Sequence, residues 1–457
     1  MITLGELQRV IEGASTDSAA TRIDSVSTDS RTLSPGALFV ALHGPRFDGH
    51  DYAQQARQRG AAALMVERAV AVDLPALRVP DARRALGLAA AHWRSRFSLP
   101  VVAVTGSNGK TTLTQMIASI FARAYGERDG RSSWLATRGN LNNDIGLPLM
   151  LFELTSAHRA AVFELGMNHL GEIAELAQMA RPTVAVVNNA QREHQEFLDS
   201  PEATARENGA VLSSLPPDGI AVFPADDPCA PIWRDLAGSR RVIDFALSGA
   251  AAVTARYRGD GGTSEIRIAT PAGPIATKLA LAGAHNVHNA LAAAACALGL
   301  GLSGGAIAEG LAAFRAVAGR GTRLATARGV VVIDDSYNAN PDSVRAAIDL
   351  LAGEAPPRLL VLGDMGEVGH QGPAFHHEVG SYARERGIDS LLAAGPLSRE
   401  AVLAFGGGAQ HFDDVEALIG AVVPRLAACG TVLVKGSRFM RMERVVQAIT
   451  GGFADGH

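Results

Sequence analysis

The sequence predicts an α/β fold divided into three domains, on three observations. The chain has 457 residues, too many for one hydrophobic core, and length alone suggests about three domains. Apolar residues make up 47% of it, so each domain has enough material for a core. From residue 99 onward short apolar runs alternate with helical patterns, the rhythm of parallel sheets covered by helices. The expected units are 1–98, 99–316 and 317–457, the last two doubly wound.

In the first unit Leu4 to Ile11 has helical spacing, Ala37 to Leu42 and Ala62 to Val66 read as strands, and Tyr52 to Arg59 reads as the helix between them. Ser25 to Arg31 and Phe47 to Tyr52 are polar and turn-rich. In the second unit Ala160 to Leu165, Val184 to Asn188 and Gly219 to Phe223 are apolar runs that end in polar turns. Helical patterns at Gly171 to Met179 and Glu202 to Leu215 separate them. Residues 252–281 break this rhythm with Ile266-Arg267-Ile268 alternation and glycine turns, which predicts an antiparallel patch, and Leu281 to Leu300 then reads as a helix. The third unit has strands at Val330 to Ile333, Leu359 to Leu362, Leu391 to Ala393 and Thr431 to Val434, with helices such as Ser343 to Leu351 and Phe375 to Arg386. Gly436 and Ser437 are expected to open its last helix.

The sharpest chemical signal lies at the start of the second unit, in Val101 to Thr112, VVAVTGSNGKTT. An apolar strand runs into a glycine turn and then into a helix. Gly106 and Gly109 clear side chains so that the amides of Ser107 and Asn108 can face a phosphate. Lys110 adds a mobile cation, Thr111 a hydroxyl for Mg²⁺ and Thr112 a second hydroxyl. The spacing is the short form G-x-x-G-K-T. The central unit is therefore expected to be an ATPase-like P-loop domain that binds a nucleoside triphosphate.

Strand ends of one parallel sheet converge on one crevice. Glu164 ends a strand in VFELGMNHLGEI, and Asn188 and Asn189 end another, with His194 a few residues on. Thr111, Glu164 and His194 are thus candidates to share a Mg²⁺. The loop GNLNNDIGLPL (Gly139 to Leu149) offers Asn140, Asn142 and Asn143 beside the same place. In the third unit DDSYNANP (Asp334 to Pro341) follows a strand and precedes a helix, so Asn340 and Pro341 suit a helix start. Tyr337 and Asn338 in that loop have no such explanation. GRGTR places Arg320 and Arg323 at the junction of the second and third units, within reach of a phosphate. VKGSRF puts Lys435 at a strand end.

Composition narrows the partners. The net charge is −4, from 42 basic and 46 acidic residues, and no basic block suggests nucleic acid. Lys110, Lys278 and Lys435 are the only lysines. Three well-separated cysteines, Cys229, Cys296 and Cys429, suit reduced thiols in a cytoplasm. The N-terminus has Glu6, Arg9 and Glu12 and no apolar segment of the kind a signal peptide carries. The longest apolar run, Leu291 to Leu302, falls short of the ~20 residues a bilayer needs.

With these motifs in view, the chain resembles the Mur ligases over essentially its whole length. TGSNGKTT resembles that family's short P-loop, ELGMNHLGEI its Mg²⁺-binding glutamate motif, and GAHNVHNALAA (from Gly283) its adenine-side helix. GRGTR and DDSYNANP resemble the elements that close over ATP. GNLNNDIGLPL, DDSYNANP and GDMGEVG (Gly363 to Gly369) most resemble the branch that adds D-alanyl-D-alanine to UDP-N-acetylmuramoyl-tripeptide.

The resemblance implies an ATP- and Mg²⁺-dependent amide ligase, working through an acyl phosphate, that completes a cell-wall precursor. It implies a cytoplasmic monomer with two small-molecule substrates, a Rossmann-like C-terminal domain, and a first domain that holds the UDP end through Ser30, Arg31 and the loop of Asp48. Asn286, Asn289, Asp335, Tyr337 and Asn338 would lie near the nucleotide and Arg320 near its γ-phosphate, with Lys110, His194 and Arg320 as the catalytic groups. One departure stands out. Most of these ligases carry a carbamylated lysine as a ligand for a second Mg²⁺, and alignment on SLP and GIAVF puts Asn208 there, with Glu207 beside it. Other readings of the residues are a sister ligase for another Mur or folate-type substrate, a plain P-loop NTPase, or a non-catalytic nucleotide-sugar binder.

Overall fold

The computed structural model describes residues 2–451 apart from Asp129, His194, Gln195, Phe197, Asp199, Gly261, Ala327 and Arg328. Its centre is a sheet of six parallel strands in the order Trp134–Ala136, Ala160–Glu164, Val101–Thr105, Val184–Val187, Ile220–Val222 and Arg241–Val242. Every residue of Val101–Thr105 is buried, as an apolar run in the middle of a covered parallel sheet must be. The chain leaves this strand and returns on both sides of it. Register pairs Glu164 with Val104 and Val187 with Thr105, so three strand ends finish at one level. A crevice opens at such a reversal, and the P-loop and Glu164 lie in it.

The expected antiparallel patch is Val253–Asp260, Thr263–Ala269 and Ile275–Leu279, and Phe245–Ala246 adds a fourth strand parallel to the first of them. It leads into the helix Ala284–Gly299, whose small apolar residues pack against the P-loop helix Lys110–Tyr125. The C-terminal sheet has the order Thr322–Ala325, Val331–Asp335, Thr431–Lys435, Arg358–Gly363, Ser390–Ala394 and Ala409–Phe412, with only the first strand antiparallel. The first domain holds four parallel strands, Ser25–Ser27, Ala37–Val40, Ala63–Val66 and Ala76–Arg78. Among the described residues no helix is long and apolar enough to cross a membrane.

Two local expectations change, and one helix was not expected at all. Ser25 to Arg31 was expected as a polar turn, but Ser25–Ser27 is an edge strand beside Ala37–Val40, since an edge position tolerates serines around one packed valine. The last helix begins at Glu443 and not at Gly436. A Cβ on Gly436 would lie 2.6 Å from Met442 Cγ, so that glycine serves a close approach and not a helix start. The helix Ala82–Arg94 has no counterpart in the sequence reading. It ties the first domain down: Trp93 Nε1 donates to the Leu154 carbonyl at 3.1 Å and Arg94 Nε to the Ala180 carbonyl at 2.9 Å. Burial lowers the Arg94 guanidinium to about 10. One hydrophobic cluster runs from Leu4 through Leu86 and Trp93 to Phe163, so the first domain and one face of the central sheet share a core.

Candidate active site

A cavity of ≈ 1080 Å³ lies between the central and C-terminal domains, with Arg83 of the first domain at its rim. Its floor is the P-loop. Gly106 and Gly109 have φ of 129° and 79°, a region that side chains avoid. A Cβ on Gly109 would stand 2.5 Å from Asn289 Oδ1, and one on Gly106 would stand 3.0 Å from the Asn188 backbone nitrogen. These glycines therefore serve close packing, and the amides of Gly106, Ser107 and Asn108 are not open as expected: they donate to Asn208 Oδ1, the Asn189 carbonyl and Asn189 Oδ1.

An asparagine network fixes the loop. Asn189 Oδ1 accepts from the Asn108 amide at 2.8 Å, and Asn188 Nδ2 donates to the Asn108 carbonyl and to Asn289 Oδ1, both at 2.8 Å. Ser107 Oγ and the Gln191 backbone bond each other in both directions, at 2.9 and 3.2 Å. Lys110 Nζ is held by the Gly106 and Ser107 carbonyls at 2.5 and 3.1 Å and by Glu193 Oε1 at 2.9 Å. A phosphate arriving here meets a cation already aimed along the loop. Thr111 and Thr112 are buried in the first turn of the helix Lys110–Tyr125, where the dipole favours an anion.

Glu164 is 3% exposed at the end of its strand. Asn142 Nδ2 donates to one of its carboxylate oxygens at 2.7 Å, and the other is buried with no hydrogen-bond partner. An orphaned carboxylate oxygen, in a wall shared with Thr111, suits a hard divalent cation. Among the described residues no group of three or more His, Cys, Asp or Glu could hold a metal. Mg²⁺ is commonly held by one or two carboxylates plus substrate phosphates, so this donor set fits it. His194, expected as a third ligand, lies outside the described residues.

Neither residue at the lysine position is free for a metal. Asn208 Oδ1 accepts from the Gly106 amide at 3.0 Å, and the Asn208 carbonyl accepts from Thr105 Oγ1 at 3.2 Å. Glu207 spends both oxygens on the Gly171 and Ile173 amides, at 2.9 and 3.0 Å, where they cap the helix Glu172–Ala180.

The far wall carries Asn286, Asn289, Asp335, Tyr337, Asn338 and Arg320, all lining the cavity. Asn286 Nδ2 donates to the Ala282 carbonyl at 2.7 Å. His288 shares this wall, and burial pushes its imidazole down to about 4, so it is neutral at neutral pH. Lys435, 3% exposed, bonds Asp335 Oδ2 at 2.6 Å and the Asn338 carbonyl at 3.0 Å. Arg320 lies 4.2 Å from the Tyr337 ring centre. Its neighbour Arg323 instead forks onto Glu354 at 2.5 and 3.0 Å and does not line the cavity. Asn340 caps the helix Pro341–Ala352, as expected, and also exchanges hydrogen bonds of 2.9 and 3.3 Å with the Asn108 amide group across the domain boundary. Arg192 reaches across the same boundary to Asp342 and Glu378, each at 2.6 Å.

Of the substrate candidates, Asn140, Asn142 and Asn143 line the cavity. Asn143 Oδ1 also caps the helix Gly146–Phe152 through the Gly146 amide at 2.8 Å. Ser30, Arg31 and Asp48 do not line it. Ser30 Oγ donates to Gln55 at 2.6 Å, and Asp48 holds His50 at 2.5 Å and Arg68 at 2.9 Å. Arg31 pairs with Asp29 at the surface. Arg83 was missed; it bonds Asp144, in the loop Gly139 to Leu149 singled out above, at 2.6 Å between the first and central domains. A lone arginine on a helix gives no sequence signal of that reach.

Three family models match the chain in succession: "Mur ligase family, catalytic domain" over residues 22–94, "Mur ligase middle domain" over 104–297, and "Mur ligase, glutamate ligase domain" over 319–438. The UDP-N-acetylmuramoyl-tripeptide--D-alanyl-D-alanine ligase of Escherichia coli is 42% identical over 454 residues, covering 98% of each chain. Among solved structures, MurF from Acinetobacter baumannii superposes with a TM-score of 0.92 at 33% identity, over 98% of this chain and 99% of that one. MurF ligase from Thermotoga maritima in complex with ADP gives 0.83 at 27% identity, over 94% and 97%.

Proposed function

This chain belongs to the Mur ligase family, and we infer that it is the ligase that joins D-alanyl-D-alanine to UDP-N-acetylmuramoyl-tripeptide, driven by ATP and dependent on Mg²⁺. The observation that carries this is the 42% identity across 98% of both chains to an enzyme of that name. The product is the UDP-linked pentapeptide precursor of peptidoglycan.

The tripeptide's terminal carboxylate must first be given a leaving group better than hydroxide. Its oxygen attacks the γ-phosphorus and ADP departs, leaving an acyl phosphate. The amine of the dipeptide attacks the acyl carbon, the bond to phosphate breaks, and the amine gives up a proton. Transfer of this kind asks for alignment and charge neutralisation more than for covalent help. Lys110 and Arg320 supply positive charge from opposite walls, the N-terminus of the helix Lys110–Tyr125 favours the phosphates, and the asparagine network, which takes up the Ser107 and Asn108 amides, holds the loop still. Glu164 and Thr111, with His194, would hold Mg²⁺, which when bound offsets the charge of the phosphates.

We assign the three units as 1–98, 99–316 and 317–457, and the family-model matches fall inside these limits. Asn286, Asn289, Asp335, Tyr337 and Asn338 are assigned to the nucleoside and Asn140 and Asn142 to the peptide end. The UDP end is assigned to the first domain. There Arg31 stays exposed for a phosphate, while the internal bonds of Ser30 and Asp48 shape the two loops beside it. We take the enzyme to act as a cytoplasmic monomer.

The test is mass spectrometry of a mixture of the protein, ATP, Mg²⁺, UDP-N-acetylmuramoyl-tripeptide and D-alanyl-D-alanine. The expected product is heavier than the tripeptide by the dipeptide less one water, with ADP and phosphate formed in step. ADP release without need of the dipeptide would point to an NTPase instead.

A further inference from the structure

Beside the main cavity lies an annex of ≈ 440 Å³ at the junction of the central and C-terminal domains. Thr111 and Asn140 form its central side and Val317 and Tyr337 its other side. Three guanidiniums line it, from Arg138, Arg320 and Arg438, and no carboxylate does. Thr111, Asn140, Arg320, Tyr337 and Arg438 also line the main cavity, so the two spaces meet at the P-loop. A pocket with three cations and no anion, open onto the reacting centre, is built for a small molecule with a negative end.

The three arginines are not equivalent. Arg320 is assigned above to the γ-phosphate. Arg138 and Arg438 each pair with one glutamate, Glu153 and Glu443, and their side chains are 66% and 63% exposed, so what separates them is the loop and the ring that Arg438 lies against. Arg438 makes one hydrogen bond, Nη1 to Glu443 Oε1 at 2.9 Å, and its other donors make none among the described residues. Its loop is fixed: Ser437 Oγ donates to the Ala339 carbonyl at 2.9 Å and accepts from the Gly366 amide at 2.7 Å. Arg438 also lies 5.6 Å from the centre of the Tyr337 ring that Arg320 covers. The guanidinium is therefore held near the Tyr337–Asn340 loop with most of its fork unused.

We propose that Arg438 binds the C-terminal carboxylate of the incoming D-alanyl-D-alanine and so fixes which end of the dipeptide faces the acyl phosphate. The proposal rests on the ligase reading of the site. The dipeptide's amine must be uncharged when it attacks, so its carboxylate is the one formal charge it keeps through the reaction. Two residues span about 7 Å when extended, enough to separate a carboxylate in the annex from an amine in the main cavity. A planar fork of donors is the usual partner for such a carboxylate.

The experiment compares D-alanyl-D-alanine with its C-terminal amide as substrates for the wild-type enzyme, Arg438→Gln and Arg438→Lys, at saturating ATP, Mg²⁺ and UDP-tripeptide. The wild type is expected to prefer the acid over the amide by roughly 10–100-fold in kcat/KM, the range of a charge-assisted hydrogen bond. Arg438→Gln loses about that factor on the acid, mainly through KM, and is little changed on the amide; Arg438→Lys recovers part of the preference. A wild type that uses both dipeptides equally overturns the proposal without any variant having to fold. So does an Arg438→Gln enzyme impaired equally on both, or one whose KM rises for UDP-tripeptide instead. If the wild type makes product with neither dipeptide, the ligase reading itself falls and the subsite with it.

Discussion

Asn208 shows how one substitution redirects a site. A lysine there would reach toward the phosphates and could take up CO₂; the amide of asparagine does neither. Its oxygen is instead bonded to the Gly106 amide, at the first turn of the P-loop, and it is 1% exposed. Glu207 cannot stand in, because it caps a helix with both oxygens. The other lysines are placed elsewhere: Lys110 in the loop itself, Lys278 on the strand Ile275–Leu279, and Lys435 against Asp335. Activity is therefore expected to be the same in CO₂-depleted buffer with and without added bicarbonate. A several-fold recovery on adding bicarbonate would mean that a lysine carbamate operates after all. Asn208→Ala should raise KM for ATP and cost about 1–2 kcal/mol of stability, since the Gly106 amide would be left buried without an acceptor. A denaturant titration alongside ATP kinetics separates the two effects.

At the scale of elements, parallel register does work that no single residue announces. The strands Val331–Asp335 and Thr431–Lys435 pair Asp335 with Lys435, which brings a buried ammonium beside its carboxylate at the cavity wall. Removing one partner of such a pair leaves the other charge stranded, at a cost of roughly 3–5 kcal/mol when fully buried. Asp335 is only partly buried, its side chain 24% exposed, so Asp335→Asn is expected to cost about 2–3 kcal/mol in chemical denaturation. Replacing both, Asp335→Asn with Lys435→Met, should restore at least half of that. Additive losses would show that the pair is not coupled. This register also marks what the sequence could reveal. Strand ends and the P-loop were legible because apolar runs and glycines carry local signals. The join between domains was not: Arg83, Arg192 and Arg438 are ordinary surface arginines until the fold brings their partners to them from 61 to 186 residues away, or stands Arg438 against a tyrosine. Ser30 and Asp48 show the opposite case, polar motif residues that the fold bonds internally.

At the scale of the whole molecule, the two domain boundaries differ in kind. The first domain shares a hydrophobic cluster with the central sheet, and Trp93 and Arg94 bond into the central domain, so these two are expected to move as one body. The C-terminal domain instead meets the P-loop region through polar contacts: the Asn108–Asn340 pair, and Arg192 bonded to Asp342 and Glu378. Hydrogen bonds that Arg192 donates to Glu378, ahead of those to Asp342, raise its pKa still further, so its charge is permanent. Polar contacts of this kind can open without exposing a core, and a ligase must open to admit three substrates and close to keep water from an acyl phosphate. Arg192→Ala removes the bridge while leaving every group that faces the phosphates in place. The variant should show a larger radius of gyration than the wild type by solution X-ray scattering without ligands, and a smaller difference when ATP is bound. Its kcat should fall several-fold while thermal stability of the first and central domains is kept. If scattering curves of the two proteins coincide in both states, the bridge does not govern closure, and the asparagine pair becomes the next contact to cut.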